Sequence, residues 1–130
     1  METNETNDMN LDELIYETIG ASMEVYNTLG PGLLENVYEK ALLYELALRE
    51  LEVKSQLPVE IIYKEEVIYT DFRLDIIVED TLIVELKSVE KLMPVHFKQL
   101  RTYMKILEKP VGLLVNFHVS DFRDGFKVLR

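Results

Sequence analysis

The chain contains no cysteine, and this absence excludes two kinds of structure. Without thiols the protein can form neither a disulfide bond nor a thiolate metal site. Proteins of reducing compartments rarely use disulfides, so a chain without cysteine fits life inside the cell. We therefore predict a cytoplasmic location.

Long apolar runs are missing as well. A membrane-spanning helix needs roughly 18 consecutive apolar residues, and no stretch of the sequence approaches that length. The first residues, METNETNDMN, are polar and acidic, unlike a signal peptide or a basic transit segment. We expect no membrane partner, and we interpret residues 1–9 as a flexible leader.

Basic residues are scarce. The 14 lysines and arginines face 24 aspartates and glutamates, which gives a formal net charge of −10. This charge opposes non-specific binding to nucleic acid. A nucleic-acid partner would therefore have to meet a local basic surface.

The composition that remains is that of a globular protein. Among 130 residues, 48% are hydrophobic and 29% are charged. This length suits one compact domain, which we place at residues 10–130.

Two helices are predicted in the first part of the chain. Asn10 and Glu13 have the spacing of a capping box, and apolar residues then recur at helical intervals. The first helix should end at the sequence LGPG, residues 29–32, where two glycines flank a proline. The second helix should run from about Leu33 to Leu51.

Strand-like sequence follows Glu52, and Pro58 predicts that part of the first strand is an edge or a bulge. The order ααβββαβ predicts an α/β (α+β) fold with a central mixed sheet flanked by helices, and the tail is a candidate further strand. Strands are expected at residues 53–63, 67–78, 81–89 and 110–117, and the third helix at residues 93–107.

Three charges interrupt the aliphatic hairpin RLDIIVEDTLIVELKSV, residues 73–89. Because side chains alternate along a strand, Glu85 and Lys87 share one face. Asp75 can meet Glu85 across the hairpin only if a three-residue loop or a bulge surrounds Asp80, and we predict one of these. The opposite face of the strand that carries Asp75 should be formed by Phe72, Leu74, Ile76 and Val78.

Facing carboxylates repel each other, and burying them is costly unless a cation neutralises them. Mg²⁺ binds one or two carboxylates together with waters and substrate phosphates. Two acids with a neighbouring lysine therefore indicate a metal site in which the lysine lies near the bound water. A ladder of surface ion pairs on a half-exposed sheet is the alternative explanation.

The charged hairpin resembles a known nuclease signature. Asp75 followed by Glu85, Leu86 and Lys87 is similar to the D…(D/E)xK pattern of the PD-(D/E)XK nuclease superfamily. The proline that usually precedes the aspartate is replaced by Leu74.

Two further motifs agree with this resemblance. The sequence GLLENVY, residues 32–38, matches the motif of the GxxExxY family within that superfamily. The sequence HFKQLRTYM contains Gln99 and Tyr103 and is similar to the Q-x-x-x-Y element of the recombination nucleases. The three motifs stand in order on the expected helix, hairpin and helix.

The resemblance implies a restriction-endonuclease-like core and a metal-dependent nuclease. Asp75 and Glu85 would bind Mg²⁺ or Mn²⁺ directly, with the backbone carbonyl of Leu86 as a further ligand. Lys87 would orient or activate the attacking water. Glu35 would approach the metal directly or through water, although the helix dipole alone also favours an acid in a first turn.

Gln99 and Tyr103 are four residues apart and share a helix face. The resemblance implies that they contact the substrate or support Lys87. The alternative is a core tyrosine whose hydroxyl is hydrogen-bonded, beside a glutamine at the boundary of the core. The opposite side of this helix carries a basic stripe formed by Lys98, Arg101 and Lys105. This stripe either contacts phosphate or is an ordinary solvent-exposed helix face.

We weigh three functions for this sequence. The first is the hydrolysis of phosphodiester bonds in DNA or RNA. The second is a catalytically silent binding or assembly module of the same fold, which the acidic balance favours and which a homodimer through the first helix would enlarge. A small-molecule nucleotide enzyme ranks last, because the sequence has no P-loop and no G-x-G-x-x-G motif.

Overall fold

The computed structural model describes residues 9–130, which contain three α-helices and five β-strands. All but the last residue of the predicted leader lies outside the described residues. The predicted order is confirmed, and the tail adds a fifth strand after a short 3₁₀ turn. The elements are α1 (Leu11–Leu29), α2 (Glu35–Leu48), β1 (Val53–Tyr63), β2 (Glu66–Val78), β3 (Leu82–Lys87), α3 (Pro94–Leu107), β4 (Val111–Asn116) and β5 (Phe126–Leu129).

The predicted start and end of α1 are confirmed. The Asn10 side chain accepts a hydrogen bond from the Glu13 N–H at 2.8 Å, and the Asn10 N–H donates to the Glu13 carboxylate at 3.2 Å. Gly30 follows the helix with a φ of 73°, which favours glycine. None of the helices within residues 9–130 has the length and apolar character needed to cross a membrane.

Helix α2 begins two residues later than predicted. Leu34 is extended, and the Leu33 N–H donates to the hydroxyl of Tyr38 at 3.1 Å instead of entering a helix. The same hydroxyl donates to the Gly30 carbonyl at 2.6 Å. A buried tyrosine therefore fixes the loop between α1 and α2, and Glu35 becomes the first helical residue.

The five strands form one mixed sheet in the order β1-β2-β3-β4-β5. Strands β3 and β4 are parallel, with α3 between them in sequence, and the other neighbouring strands are antiparallel. Strand β1 is an edge strand, as Pro58 predicts. Strand β3 is the middle strand; it carries Glu85 and Lys87, and its neighbour β2 carries Asp75.

Each face of the sheet is covered by a separate hydrophobic cluster. The first cluster joins the sheet to α1 and α2, and the second joins it to α3. Along β3 the side chains alternate between the two, since Leu82, Val84 and Leu86 lie in the first cluster and Ile83 in the second. The helices therefore flank both faces of the central sheet, as predicted.

The alternation predicted for β2 is wrong at Leu74. Ile76 packs in the first cluster, whereas Leu74 packs in the second, so the pleat is interrupted between them. The β1–β2 pairing is not regular at Asp75 and at Gln56, the residue of β1 that lies opposite it. Gln56 has a left-handed φ of 54°. This irregular residue in β1 locally turns the β1–β2 ribbon, so that the residues beyond it exchange faces.

The turn between β2 and β3 has the predicted three-residue loop. Ile76 pairs with Val84 and Val78 pairs with Leu82, which leaves residues 79–81 as the connection. The Thr81 N–H donates to the Val78 carbonyl at 3.0 Å and closes the loop. This register brings Asp75 opposite Glu85, which was the condition for an acidic pair.

Candidate functional site

The site forms where β2 and β3 separate. Their backbone ladder ends at the pair of Ile76 and Val84, and side chains connect the next two positions instead. The Asp75 N–H donates to Glu85 Oε2 at 3.0 Å, and the Leu86 N–H donates to Asp75 Oδ2 at 2.8 Å. Each carboxylate is thus fixed by a backbone N–H of the other strand, and the two acids are held side by side.

Burial makes these acids hard to ionise. Glu85 is only 6% exposed. Its burial, and to a lesser extent the charge of Asp75, raises its pKa to about 8. Burial also raises the pKa of Asp75, although the hydrogen bond from the Leu86 N–H opposes this shift. At neutral pH the pair therefore retains a proton unless a cation compensates its charge.

Lys87 is half-buried and follows Glu85 by two positions, so both side chains leave the strand on the same face. Its positive charge lowers the pKa values of both Asp75 and Glu85. The side chain of Leu86 packs in the first cluster, so this residue can serve the site only through its backbone.

Glu35 approaches the site from the first turn of α2. Its carboxylate accepts a hydrogen bond from the Ser88 N–H at 3.3 Å, and its charge raises the pKa values of Asp75 and Glu85. Ser88 also donates its hydroxyl to the Leu33 carbonyl at 3.0 Å. The chain just after Lys87 is therefore attached to the start of α2.

Gln99 and Tyr103 share a face of α3 as expected. The Gln99 side-chain amide donates to the Tyr103 hydroxyl at 3.1 Å, and Tyr103 is buried in the second cluster. Burial raises the pKa of Tyr103, and the charges of Glu85 and Asp75 raise it further. Tyr103 is thus a core residue whose pKa responds to the charges of the acidic pair. Gln99 holds the Tyr103 hydroxyl through a hydrogen bond.

The other polar residues of α3 face away from this arrangement. The three basic residues of the stripe, Lys98, Arg101 and Lys105, are exposed. His96 accepts a hydrogen bond from the Met93 N–H at 2.9 Å and so caps the start of the helix.

Glu39 is a neighbour of the site that the sequence analysis missed. Both of its carboxylate oxygens accept from the Gln56 side-chain amide, at 3.0 and 3.1 Å. Its charge raises the pKa of Asp75 more than the charge of Glu35 does. The available signal was its spacing, because residues four apart on α2 point the same way.

Asn116 is a second missed residue and is only 2% exposed. Its side-chain oxygen accepts from the Val89 N–H at 3.1 Å and from the His118 N–H at 3.2 Å. Its side-chain nitrogen donates to the Val89 carbonyl at 2.9 Å. An amide that ends an otherwise aliphatic strand could have drawn attention to this position.

The donor set suits a hard cation with few protein ligands. Within residues 9–130 no group of three or more His, Cys, Asp or Glu side chains is arranged to hold a metal ion. Two carboxylate side chains and a backbone carbonyl remain, and all of these donors are oxygen atoms. Mg²⁺ is commonly bound by one or two carboxylates with waters filling its other positions, so the residues fit this ion.

The family comparison agrees with the fold. The chain matches the PD-(D/E)XK nuclease superfamily over residues 12–129 and belongs to it. The five-stranded mixed sheet with helices on both faces is consistent with the nuclease-like fold of this superfamily. No curated protein and no solved structure gives a significant match to the chain.

Proposed function

We propose that this protein is a nuclease that hydrolyses phosphodiester bonds of DNA or RNA with the help of Mg²⁺ or Mn²⁺. The observation that carries the proposal is the reciprocally bonded pair of Asp75 and Glu85, in which the pKa of Glu85 is raised to about 8. Perturbed carboxylates held together at a sheet end are costly for a fold and useful for binding a cation. Membership of a nuclease superfamily supports the same function.

Asp75, Glu85 and the carbonyl of Leu86 would hold the cation. When bound, such an ion acts as a Lewis acid and lowers the pKa of its water ligand. Lys87 would orient the attacking water or offset charge on the phosphate, because its positive charge already lowers the pKa values of both acids. Glu35 would reach the same region from α2, and Tyr103, supported by Gln99, would contact substrate or Lys87.

Finer features of the proposal rest on the sequence. The motif at residues 32–38 supports assignment to the GxxExxY family, and its glutamate, Glu35, is directed toward the acidic pair. A cytoplasmic location and a homodimer remain predictions. The silent binding module is not favoured, because Asp75, Glu85 and Lys87 are all present and grouped.

Metal titration and hydrolysis assays test the proposal together. Mn²⁺ is titrated by calorimetry into the wild type and into Asp75→Asn, and single- and double-stranded DNA and RNA are offered as substrates. We expect one or two ions to bind the wild type, weaker binding to the variant, and hydrolysis that Lys87→Ala lowers on the order of 10²- to 10³-fold. Lys127→Ala, which changes an exposed lysine on β5, is the matched control and should resemble the wild type.

The outcome that would overturn the proposal is a wild type that binds no Mn²⁺ and leaves every substrate intact. Activity that Lys87→Ala retains in full would equally reject the assigned site. Light scattering during the same purification tests the homodimer, which a monomer mass at high concentration would exclude.

A further inference from the structure

An open cleft of about 650 Å³ lies at the start of α2 and borders Ser88, the residue that follows Lys87. The segment Gly32–Asn36 forms one wall, and Ser88 and His118 form the other. Glu35 lines the cleft, and its carboxylate accepts a hydrogen bond from the Ser88 N–H at 3.3 Å. The cleft therefore borders the end of β3, where we propose that a phosphate is hydrolysed.

The walls of this cleft combine apolar and polar groups. Leu33 and Leu34 are 39% and 73% exposed and supply the apolar part. Asn36, Ser88 and His118 supply side chains that can donate or accept hydrogen bonds. A flat apolar ring that carries polar edges, joined to a sugar with hydroxyl groups, matches this mixture. The volume is within the range of small-molecule sites.

A buried amide holds one wall in place. Asn116 binds both the N–H and the carbonyl of Val89, and its oxygen also accepts from the His118 N–H. Val89 follows Ser88 directly, so one side chain fixes both residues of this wall. The Ser88 N–H in turn bonds Glu35, which connects the wall to the acidic site.

We propose that this cleft is a nucleotide subsite, which holds the nucleoside adjoining the cleaved phosphate, and that Asn116 is the positioning residue of its wall. The inference rests on the proposed nuclease function and names the part of the substrate that is recognised. Contacts to a base and a sugar would add affinity to the phosphate contacts, which a net charge of −10 weakens.

Titration with a nucleoside monophosphate tests the subsite without any hydrolysis. In NMR spectra of the full chain with Mg²⁺, we expect the backbone signals of Leu34, Asn36, Ser88 and His118 to shift. Inorganic phosphate alone should leave the first two signals unchanged. Shifts that are confined to other surfaces, or equal effects of phosphate and nucleotide, would overturn the proposal.

Two exposed leucines at opposite ends of α2 provide matched variants: Leu34 is its N-cap residue and Leu48 its last residue. Leu34→Ala removes an exposed side chain from the cleft, whereas Leu48→Ala removes one that is 60% exposed at the other end of the helix. We expect mononucleotide affinity to fall about 5- to 10-fold in Leu34→Ala, because part of a leucine contact is lost, and to stay unchanged in Leu48→Ala. Equal affinities in the two variants would reject the cleft.

Asn116→Asp tests the positioning role. The new carboxylate oxygen would face the Val89 carbonyl, so we expect KM for an oligonucleotide to rise about 10-fold with kcat within about twofold of the wild type. Val111→Ala, at the other end of β4, controls for lost stability and should leave KM unchanged. A KM of Asn116→Asp equal to that of the control would refute the role.

Failure of the subsite can be distinguished from failure of the proposed function. If the wild type hydrolyses oligonucleotides but Leu34→Ala and Asn116→Asp keep wild-type KM values, only the subsite is rejected. If the wild type binds no metal and hydrolyses nothing, the proposed function is rejected, and the subsite is rejected with it.

Discussion

The two ends of β3 differ in how they connect to β2. At its start, Leu82, Ile83 and Val84 pair regularly with β2 and are buried between both clusters. At its end, the ladder with β2 stops, and carboxylates take the place of backbone partners at Asp75 and Glu85. Both ends continue to pair with β4 in one parallel register.

Within the six residues of β3, the apolar start therefore contributes to folding stability, and the polar end carries the proposed site. The apolar end removes side chains from water and contributes the hydrophobic stabilisation expected of a central strand. The polar end buries Glu85 at a cost in free energy, which the proposed cation would offset. The following four predictions test the two ends and, last, the irregular position of β1 opposite Asp75.

The largest expected effect is on hydrolysis at the polar end. Replacement of Asp75 by Asn, Glu85 by Gln or Lys87 by Ala should lower the rate on the order of 10²- to 10³-fold, since each removes a group that binds the cation or the reacting phosphate. Single-turnover rates with Mg²⁺ measure the effect. Retention of wild-type rates by all three variants would show that the polar end is structural only.

The next effect is on folding at the apolar end. Leu82→Ala should lower the free energy of unfolding by about 2–5 kcal/mol, because Leu82 is fully buried in the first cluster. Chemical denaturation gives this value, and Leu82→Ile serves as a control of similar volume, with an expected loss below about 1.5 kcal/mol. Hydrolysis per folded molecule should stay near that of the wild type. A tenfold loss of hydrolysis would contradict the separation of the two ends.

A smaller effect concerns pH and the polar end. The pKa of Glu85 rises from an ordinary 4.5 to about 8 in the folded protein, so the folded state binds more protons between these values. The metal-free protein should therefore lose stability, on the order of 3 kcal/mol, as the pH rises from about 5 through 8. Glu85→Gln should remove this part of the pH dependence, and Mg²⁺ should reduce it in the wild type. Stability is measured by thermal unfolding at a series of pH values. If stability depended on pH in the same way in the wild type and in Glu85→Gln, the raised pKa of Glu85 would be contradicted.

The smallest effect lies at the irregular position opposite Asp75. Gln56 has a φ of 54°, a conformation that costs most residues roughly 1–2 kcal/mol and glycine very little. Gln56→Gly should therefore raise stability by less than about 1 kcal/mol, after allowance for the greater freedom of glycine in the unfolded chain. A loss of more than 1 kcal/mol would instead show that the contact between Gln56 and Glu39 stabilises the fold.

Most of the fold followed from short-range patterns in the sequence. Apolar spacing and the signals at Asn10 and Gly30 locate α1, and counting residues from Asp75 to Glu85 requires the three-residue loop that is observed. These features depend on neighbouring residues alone. The family signature then directs attention to the acids, although their roles remain predictions.

The missed features depend on contacts between distant parts of the chain. The hydrogen bond from Ser88 to Glu35 joins residues 53 positions apart, and that from Val89 to Asn116 spans 27 positions. No local pattern specifies such partners. The exchange of faces at Leu74 was missed because a glutamine gives no signal of left-handed backbone, in contrast to glycine or asparagine.

Pro58 in the edge strand has a consequence for how copies of the protein meet. An exposed strand edge is a template on which another chain can add a strand, and a proline removes one of the donors that such an addition needs. The backbone irregularity at Gln56, two residues earlier, interrupts the same edge. At the opposite side of the sheet, β5 has only four residues. Both borders of the sheet are thus poor seeds for fibrous aggregation, even though the chain is rich in aliphatic strands.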